Sequence, residues 1–389
     1  MKKSKTLLSL LSLLLCASLM FGVFTSSAFK DTAVADVKLQ GVSGKLHSLG
    51  EEILDAIYNQ KEKNTAEKNI NNINEKVILG GYPVGLKLYA DGVIVVGTEA
   101  VDTSTGDVNT AEKAGLIIGD VIKRVNGDKV TTNGEVSQHI EKSNGDQLEF
   151  EIMRGKQLLK VNFCAEFSVS EGKYKAGLWI RDSSAGIGTV TFCTQNGLFA
   201  SLGHAVCDID TKEVLPISQG ECTSVNLTGF VKGGSGVTGE LCGILEGDST
   251  GVIYDNGDIG VYGEFNSLPK ANMIEIAHTD EVETGEASIF TTLENGAVTE
   301  YEIEIVNIDS DSPENKNLVI KVKDKNLINK SGGIIQGMSG SPIVQNGKLV
   351  GAVTHVFLDD PTGGYGIFAE TMLAKLNSFQ NSEEYKKAS

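Results

Sequence analysis

The chain has 389 residues, which suggests two or three domains at roughly 150 residues each. Its 34 basic and 51 acidic residues give a net charge of −17, which excludes a protein whose main partner is nucleic acid, because phosphate binding needs a basic surface. Apolar residues make up 40 %, enough for real cores, and 45 glycines without a fixed period favour a turn-rich β protein.

The first residues have the layout of an export signal. Three lysines among residues 1–5 precede an uncharged apolar run, Leu7 to Phe24, and small residues follow at 26–28. The run is also nearly long enough to stay in a bilayer as an uncleaved anchor. We therefore expect residues 1–28 to be a signal peptide or signal anchor, which exports the chain and brings it to a membrane. Residues 29–75 are polar, and we interpret them as a solvated spacer.

A distinctive string follows at residues 111–127, which read AEKAGLIIGDVIKRVNG. It predicts a short helix, a glycine stop, a strand and an Asn-Gly turn. The string resembles the signature of a PDZ domain, and the resemblance covers residues 76–165. It implies a groove between the strand after Pro83-Val84-Gly85-Leu86 and a helix around Glu135 to Ser143. A peptide ligand would add a strand to the sheet edge in that groove.

From Lys173 onward the pattern changes to short apolar runs separated by Gly or Asn turns. Turns at a regular spacing of about 8–12 residues predict an all-β sandwich or barrel. The length of this region, about 200 residues, suits a pair of barrels. A short closing helix is predicted over Ala369 to Leu376.

Two segments carry residues suited to nucleophilic catalysis. Ser339 lies between glycines in the string GMSGSP, and His204 lies in the string SLGHAV. A serine between glycines can occupy a tight turn whose backbone N–H groups converge on one point. Such a turn supplies a nucleophile and an oxyanion hole together if a histidine approaches from elsewhere in the fold.

The longer string GMSGSPIVQNGKLVGAVTH resembles the nucleophile region of chymotrypsin-like serine proteases. With the PDZ signature and the string SLGHAVCDIDT, it is similar to the sporulation stage IV protein B peptidase family, over residues 76–378. The resemblance implies a mainly β chain: the N-terminal signal or anchor, a PDZ domain at 76–165, and a chymotrypsin-like double β-barrel serine protease domain at 172–378.

The same resemblance implies a function. Such a protein would be a serine endopeptidase of sporulation signalling, exported into the space between the forespore and mother-cell membranes. It would cleave itself and a protein partner in a membrane complex, releasing an intramembrane protease that activates a sigma factor.

The resemblance also assigns the catalytic residues. Ser339 is the expected nucleophile, His204 the general base, and the backbone N–H groups of Gly337 and Ser339 the oxyanion hole. The family match places the acid at Asp324. The general chymotrypsin-like layout instead places it in the first barrel, where Asp258 fits; we favour Asp324 and keep both alternatives open.

The resemblance further implies a specificity pocket lined by Thr354, His355 and Val356. No cofactor and no metal are expected, because no Cys/His pair has zinc spacing. Cys193 and Cys207 flank His204, and both a paired and a free state remain open.

The alternative function is that of a binding module. In that case the PDZ domain binds a peptide and the β domain is an inactive protease used as a scaffold. The joint presence of His204, Ser339 and the glycines around the serine argues against this alternative, because a scaffold needs none of them.

Overall fold

The structure is a computed structural model that describes residues 76–294 and 296–380. The expected signal segment, 1–28, and the spacer, 29–75, lie outside the described residues. No helix in the described ranges has the length and apolar character needed to cross a membrane. The described part is mainly β, as predicted from the sequence, with 22 strands and four α-helices.

The elements are as follows in chain order. Strands β1 to β11 are Lys76–Leu79, Pro83–Thr98, Val101–Thr103, Gly106–Val108, Val121–Val125, Asp128–Lys129, Gln147–Arg154, Gln157–Cys164, Glu166–Ser168, Lys173–Lys175 and Leu178–Cys193. Strands β12 to β22 are Leu198–Ser201, Ile217–Val231, Glu240–Gly257, Gly260–Phe265, Met273–Ile276, Gly285–Thr291, Thr299–Ile308, Leu318–Val322, Pro342–Gln345, Lys348–Val356 and Gly363–Phe368. Helices α1 to α4 are Thr110–Lys113, Asn133–Lys142, Lys325–Ser331 and Ala369–Gln380, and Thr279–Glu281 form a 3₁₀ helix.

Six antiparallel strands close a first barrel. They pair in the order β2, β11, β12, β15, β14, β13 and back to β2. Apolar residues alternate with polar ones along the first part of β2, so Leu86, Leu88 and Ala90 point into the barrel core. Phe199 and Ile253 fill the same core from other strands.

A second barrel is closed in the same way. Its strands pair in the order β17, β18, β19, β22, β21, β20 and back to β17. On β18 the buried residues Tyr301, Ile303 and Ile305 alternate with glutamates that face outward. The predicted pair of barrels is therefore present, and the predicted closing helix forms as α4.

A smaller unit with its own core carries the PDZ string. Its main sheet contains the second part of β2 together with β5, β7, β8 and the first part of β11. Helix α2 begins with a capping box in which Thr132 and Glu135 bond each other's backbone N–H groups. Val136 and Ile140 lie one turn apart on α2 and face this core.

The PDZ unit is inserted into the first barrel and does not precede it. Residues 83–90 of β2 pair with β11 and β13 inside the barrel, whereas Val93 and Ile94 pair with β5 in the PDZ sheet. Strand β1 also belongs with the barrels, since it pairs with β11 and β16. The boundary expected at residue 76 does not separate the two units, because one strand of 16 residues pairs with barrel strands along its first part and with PDZ-unit strands along its second, within one continuous sheet.

Candidate active site

The turn that carries Ser339 is built by its glycines. Gly337 and Gly340 have φ values of +92° and +93°, in the left-handed region that side chains disfavour. A Cβ atom on Gly340 would also lie 2.0 Å from the carbonyl oxygen of Thr189, so there is no space for one. The glycines of the string GMSGSP are therefore required by backbone geometry and close packing.

The two N–H groups expected to form the oxyanion hole are free to do so. In the described ranges, neither Gly337 nor Ser339 donates a backbone hydrogen bond. The preceding carbonyls are held elsewhere: Gln336 O accepts from Leu241 N–H at 2.9 Å, and Met338 O accepts from Ser341 N–H at 2.9 Å. Because C=O and N–H of a trans peptide point in opposite directions, these bonds leave both N–H groups available for a developing negative charge.

The hydroxyl of Ser339 is hydrogen-bonded to a neighbouring strand. Its Oγ donates to the carbonyl oxygen of Thr354 at 2.7 Å, and the side chain is half-buried. The hydroxyl must release this carbonyl before it can donate its proton to a base.

His204 follows β12 on a turn that reaches the second barrel. Leu202 and Gly203 both have positive φ, and a Cβ atom on Gly203 would lie 2.8 Å from Cγ2 of Thr354. The His204 turn therefore packs against the strand whose carbonyl holds the Ser339 hydroxyl.

The His204 ring is held in the tautomer that a general base needs. Its Nδ1 lies 2.8 Å from the carbonyl oxygen of Ala205. Because a carbonyl can only accept, Nδ1 carries the proton and Nε2 keeps a free lone pair. The ring centroid of His355 lies 4.8 Å away from that of His204.

The Asp324 carboxylate caps a helix and is not bonded to His204 in the described residues. Asp324 is the N-cap of α3, and its carboxylate accepts from the N–H groups of Asn326 and Leu327 at 2.8 and 2.9 Å. No hydrogen bond or ion pair joins Asp324 to His204 among the described residues. A spacing of fifteen residues before the serine cannot distinguish a helix-capping aspartate from a triad acid.

Asp258 is not bonded to His204 either, among the described residues. It is exposed in the turn between β14 and β15. Burial and then the charge of Asp258 raise the pKa of Cys207, which places this carboxylate beside the segment that follows His204. The identity of the triad acid therefore stays a prediction.

A family model described as SpoIVB peptidase S55 matches residues 172–373, just over half of the 389 residues. The chain belongs to this family. It is a serine endopeptidase, and the match contains both His204 and Ser339 of this S55 peptidase.

Several solved structures are similar to parts of this S55 peptidase. The PDZ domain of the SdrC-like protein from Listeria monocytogenes is 19 % identical, covers 23 % of this chain and 87 % of its own, and has a TM-score of 0.19. The active form of the Rv3671c protease from M. tuberculosis is 15 % identical over 50 % of this chain and 74 % of its own, with a TM-score of 0.31.

The HtrA-type protease AlgW with a decapeptide is 12 % identical over 52 % of this chain and 55 % of its own, with a TM-score of 0.32. All three similarities have TM-scores below 0.5. A search of curated proteins found no match.

Electrostatics keep both histidines of the site neutral at pH 7. Burial lowers the pKa of His204 below its usual value of 6.5, and the bond to Ala205 opposes this shift. Partial loss of solvation and the adjacent His204 lower the pKa of His355 to about 4. A neutral His204 is the form that can accept the serine proton.

This arrangement predicts the pH profile of the S55 peptidase. We expect kcat/KM for a short peptide to rise with pH and to reach half its plateau below pH 6.5, the usual histidine value. The sign follows because a lowered pKa keeps the base neutral to lower pH. A midpoint above 6.5 would contradict the prediction and would indicate a carboxylate that stabilises the charged ring. Unfolding measured at each pH is the control.

The capping role of Asp324 predicts the effect of two substitutions. Asp324→Asn should change kcat little, because asparagine caps a helix about as well as aspartate. Asp324→Ala should lower the free energy of unfolding by about 1 kcal/mol. A triad acid would behave differently: its change to asparagine would lower kcat by roughly 10⁴.

The measurements are kcat per folded molecule and urea unfolding, with Asp258→Asn as the parallel variant. A large kinetic loss in Asp324→Asn at unchanged stability would restore Asp324 as the acid. The same result in Asp258→Asn would instead assign the acid to the first barrel.

The residues expected to line the specificity pocket lie together at the end of β21. Thr354 is buried, His355 is exposed beside His204, and Val356 is half-buried. Among these three residues, as the structure describes them, Thr354 alone is hydrogen-bonded to the nucleophile, through its carbonyl oxygen. Its role as a pocket residue stays a prediction, as do those of His355 and Val356.

The peptide groove expected at the strand after Pro83-Val84-Gly85-Leu86 is not formed there. Residues 87–89 of β2 have strands on both edges, β11 and β13, and Ile94 lies between β11 and β5, so no peptide can add to this strand. The free edge lies instead on β11: Leu178–Arg181 pair with β2 on one side only, among the described strands. Helix α2 approaches the same segment, since Asn133 N–H donates to the Asp182 carboxylate at 2.8 Å.

One supporting residue escaped the sequence analysis. Thr189 on β11 contacts the nucleophile turn from the first barrel, and its Oγ1 donates to the carbonyl oxygen of Gly337 at 2.7 Å. No motif marks Thr189, because it lies 148 positions before Gly337 and only the barrel fold brings the two together.

The cysteines of the described residues are all free, so Cys193 and Cys207 are not bridged in this structure. In the same residues, no group of three or more His, Cys, Asp or Glu side chains is arranged to hold a metal ion.

Proposed function

We propose that this S55 peptidase cleaves itself and a protein partner held in a membrane complex during sporulation signalling. Residues 1–28 export the chain and attach it to a membrane, so that the enzyme acts between the forespore and mother-cell membranes. One observation carries the proposal: in a chain of a peptidase family, Ser339 lies on a turn with two free N–H groups, next to the turn of His204.

The chemistry follows from the positions of these groups. The Ser339 hydroxyl leaves the Thr354 carbonyl, gives its proton to Nε2 of His204 and attacks the scissile carbonyl carbon. The N–H groups of Gly337 and Ser339 hold the oxygen of the tetrahedral intermediate. The charged His204 then gives its proton to the leaving amine, and a water molecule hydrolyses the acyl-enzyme by the same steps.

The PDZ unit supplies a second contact with the substrate. The free edge of Leu178–Arg181 beside α2 fits an extended peptide, which would form backbone hydrogen bonds as an added strand. Its ligand is a segment of the partner or of a second copy of the enzyme. This contact raises the local concentration of a substrate whose cleavage site binds weakly.

The experiment mixes full-length enzyme with a full-length Ser339→Ala chain that carries a different tag. We expect the Ser339→Ala chain to stay intact alone and to be cut when active enzyme is present. A fluorophosphonate probe should label only the chain that retains Ser339. Self-cleavage by purified Ser339→Ala would overturn the proposal. Peptide binding without any labelling or cleavage would favour the binding-module alternative.

A further inference from the structure

We propose that Thr189 is a positioning residue that sets the oxyanion hole and ties the nucleophile turn to the base turn. Thr189 is 1 % exposed, and all of its polar groups are used. Its N–H donates to Ser339 O at 3.0 Å, and its hydroxyl donates to Gly337 O at 2.7 Å. Its own carbonyl accepts from Leu202 N–H at 3.3 Å, two residues before His204.

The hydroxyl of Thr189 makes a bond to the nucleophile turn that its backbone does not make. Any residue except proline would supply the N–H and the carbonyl at this position, whereas the bond to the Gly337 carbonyl comes from the side-chain hydroxyl. This bond matters because Gly337 has no Cβ and positive φ, so the peptide units on its two sides rotate at little cost. A rotated peptide would turn the Gly337 N–H away from the reacting carbonyl.

Three hydrogen bonds oppose that rotation. Leu241 N–H holds the carbonyl on the N-terminal side of Gly337. The peptide on its C-terminal side is held by the Thr189 hydroxyl at its carbonyl and, 3.1 Å from Met338 N–H, by the carbonyl oxygen of Ile335. Removing the hydroxyl leaves two of the three bonds and frees the Gly337 carbonyl. Since an oxyanion hole works by being aligned before the charge develops, the loss should appear in the transition state more than in substrate binding.

The same strand offers a matched control. Thr191 lies two residues further along β11, is 0 % exposed, and donates from Oγ1 to Gly340 O at 2.8 Å. This bond is similarly short and more fully buried than that of Thr189, but its acceptor follows the nucleophile. Losing it removes no constraint from the peptide units on either side of Gly337.

The inference rests on the peptidase activity of Ser339, so the test compares full-length variants with an active parent chain. The variants are Thr189→Val, Thr189→Ser and Thr191→Val. The substrate is a short peptide taken from a site that the parent chain cuts in the mixing experiment above, mapped by mass spectrometry, and the transition-state probe is a boronic acid of the same sequence. Unfolding curves are recorded for each variant.

Thr189→Val should lower kcat by about 10- to 100-fold, a part of the roughly 10²- to 10³-fold loss seen when an oxyanion donor is removed. KM should change by less than about twofold, and boronate affinity should fall by the same factor as kcat. Thr189→Ser should recover most of the activity. Thr191→Val should lose similar stability but keep kcat within about threefold.

Unchanged kcat in a folded Thr189→Val chain would overturn the inference, as would an equal loss of kcat in Thr191→Val. If Thr189→Val does not fold, Thr189→Ala compared with Thr189→Ser takes its place. An inactive parent chain would instead refute the proposed function, so the two failures are distinct.

Discussion

Replacing Ser339 with alanine should lower kcat for a peptide by about 10⁶-fold, down to the turnover that binding and the oxyanion hole supply without a nucleophile. His204→Ala should cost about as much, and the double variant little more, because nucleophile and base act as one unit. Folding should persist, since within the described residues the Ser339 side chain makes one hydrogen bond, to Thr354 O, whose loss costs about 1 kcal/mol.

Ser341 provides a matched control for this prediction. It lies two residues after the nucleophile, is 0 % exposed, and its Oγ has no hydrogen-bond partner in the described structure. Ser341→Ala should keep kcat within a few-fold of the parent chain. Initial rates and active-site titration measure both variants. Full peptide cleavage by folded Ser339→Ala would remove Ser339 from the mechanism.

Deleting residues 76–165 should unfold the protease. The deletion removes the segment 83–90, which pairs with both β11 and β13 and closes the first barrel. A barrel missing one strand exposes two unpaired edges and its apolar core, which includes Leu86 and Leu88. We expect no cooperative unfolding transition and no activity on any substrate.

A different excision should keep the barrel. Ile94 and Arg181 are register partners on β2 and β11, so replacing residues 95–180 with Asn-Gly joins them through a two-residue hairpin turn. This design keeps Ile94 in the barrel core. It also keeps the ion pair between Arg181 and the buried Asp208, whose atoms lie 2.5 Å apart.

The hairpin variant should cleave a short peptide at close to the parent rate but cleave a folded partner poorly. Circular dichroism melts and kcat/KM on both substrates are the measurements. If the hairpin variant is unfolded like the larger deletion, the PDZ unit stabilises the protease and is not a separable module. If both substrates are cut at the parent rate, the free edge of β11 does not bind the substrate.

The nucleophile turn could be predicted because its determinants are local. The positive φ values that the turn needs fall on Gly337 and Gly340, within two residues of Ser339. The string alone therefore indicates the turn. The alternation on β18 likewise predicts a strand with one buried face. These features need no knowledge of distant segments.

The triad acid and the groove could not be predicted in this way. An aspartate before a short helix caps it whatever lies fifteen residues later, so the position of Asp324 fits two roles. The sequence of β2 reads as two strands around Gly92, whose φ is +117°. The first half of β2 joins the barrel because it pairs with residues 183–189 and 217–223, which lie far along the chain.

The passage of β11 through both units sets a length scale for substrates. Arg181 ends the free edge beside α2, and Thr189 touches the turn of Ser339. The strand between them spans at most about 26 Å, at roughly 3.3 Å per residue. A substrate docked at the free edge can therefore reach Ser339 through an extended spacer of about eight residues. The length of β11 thus sets the distance between the docked segment of a substrate and the peptide bond that is cleaved.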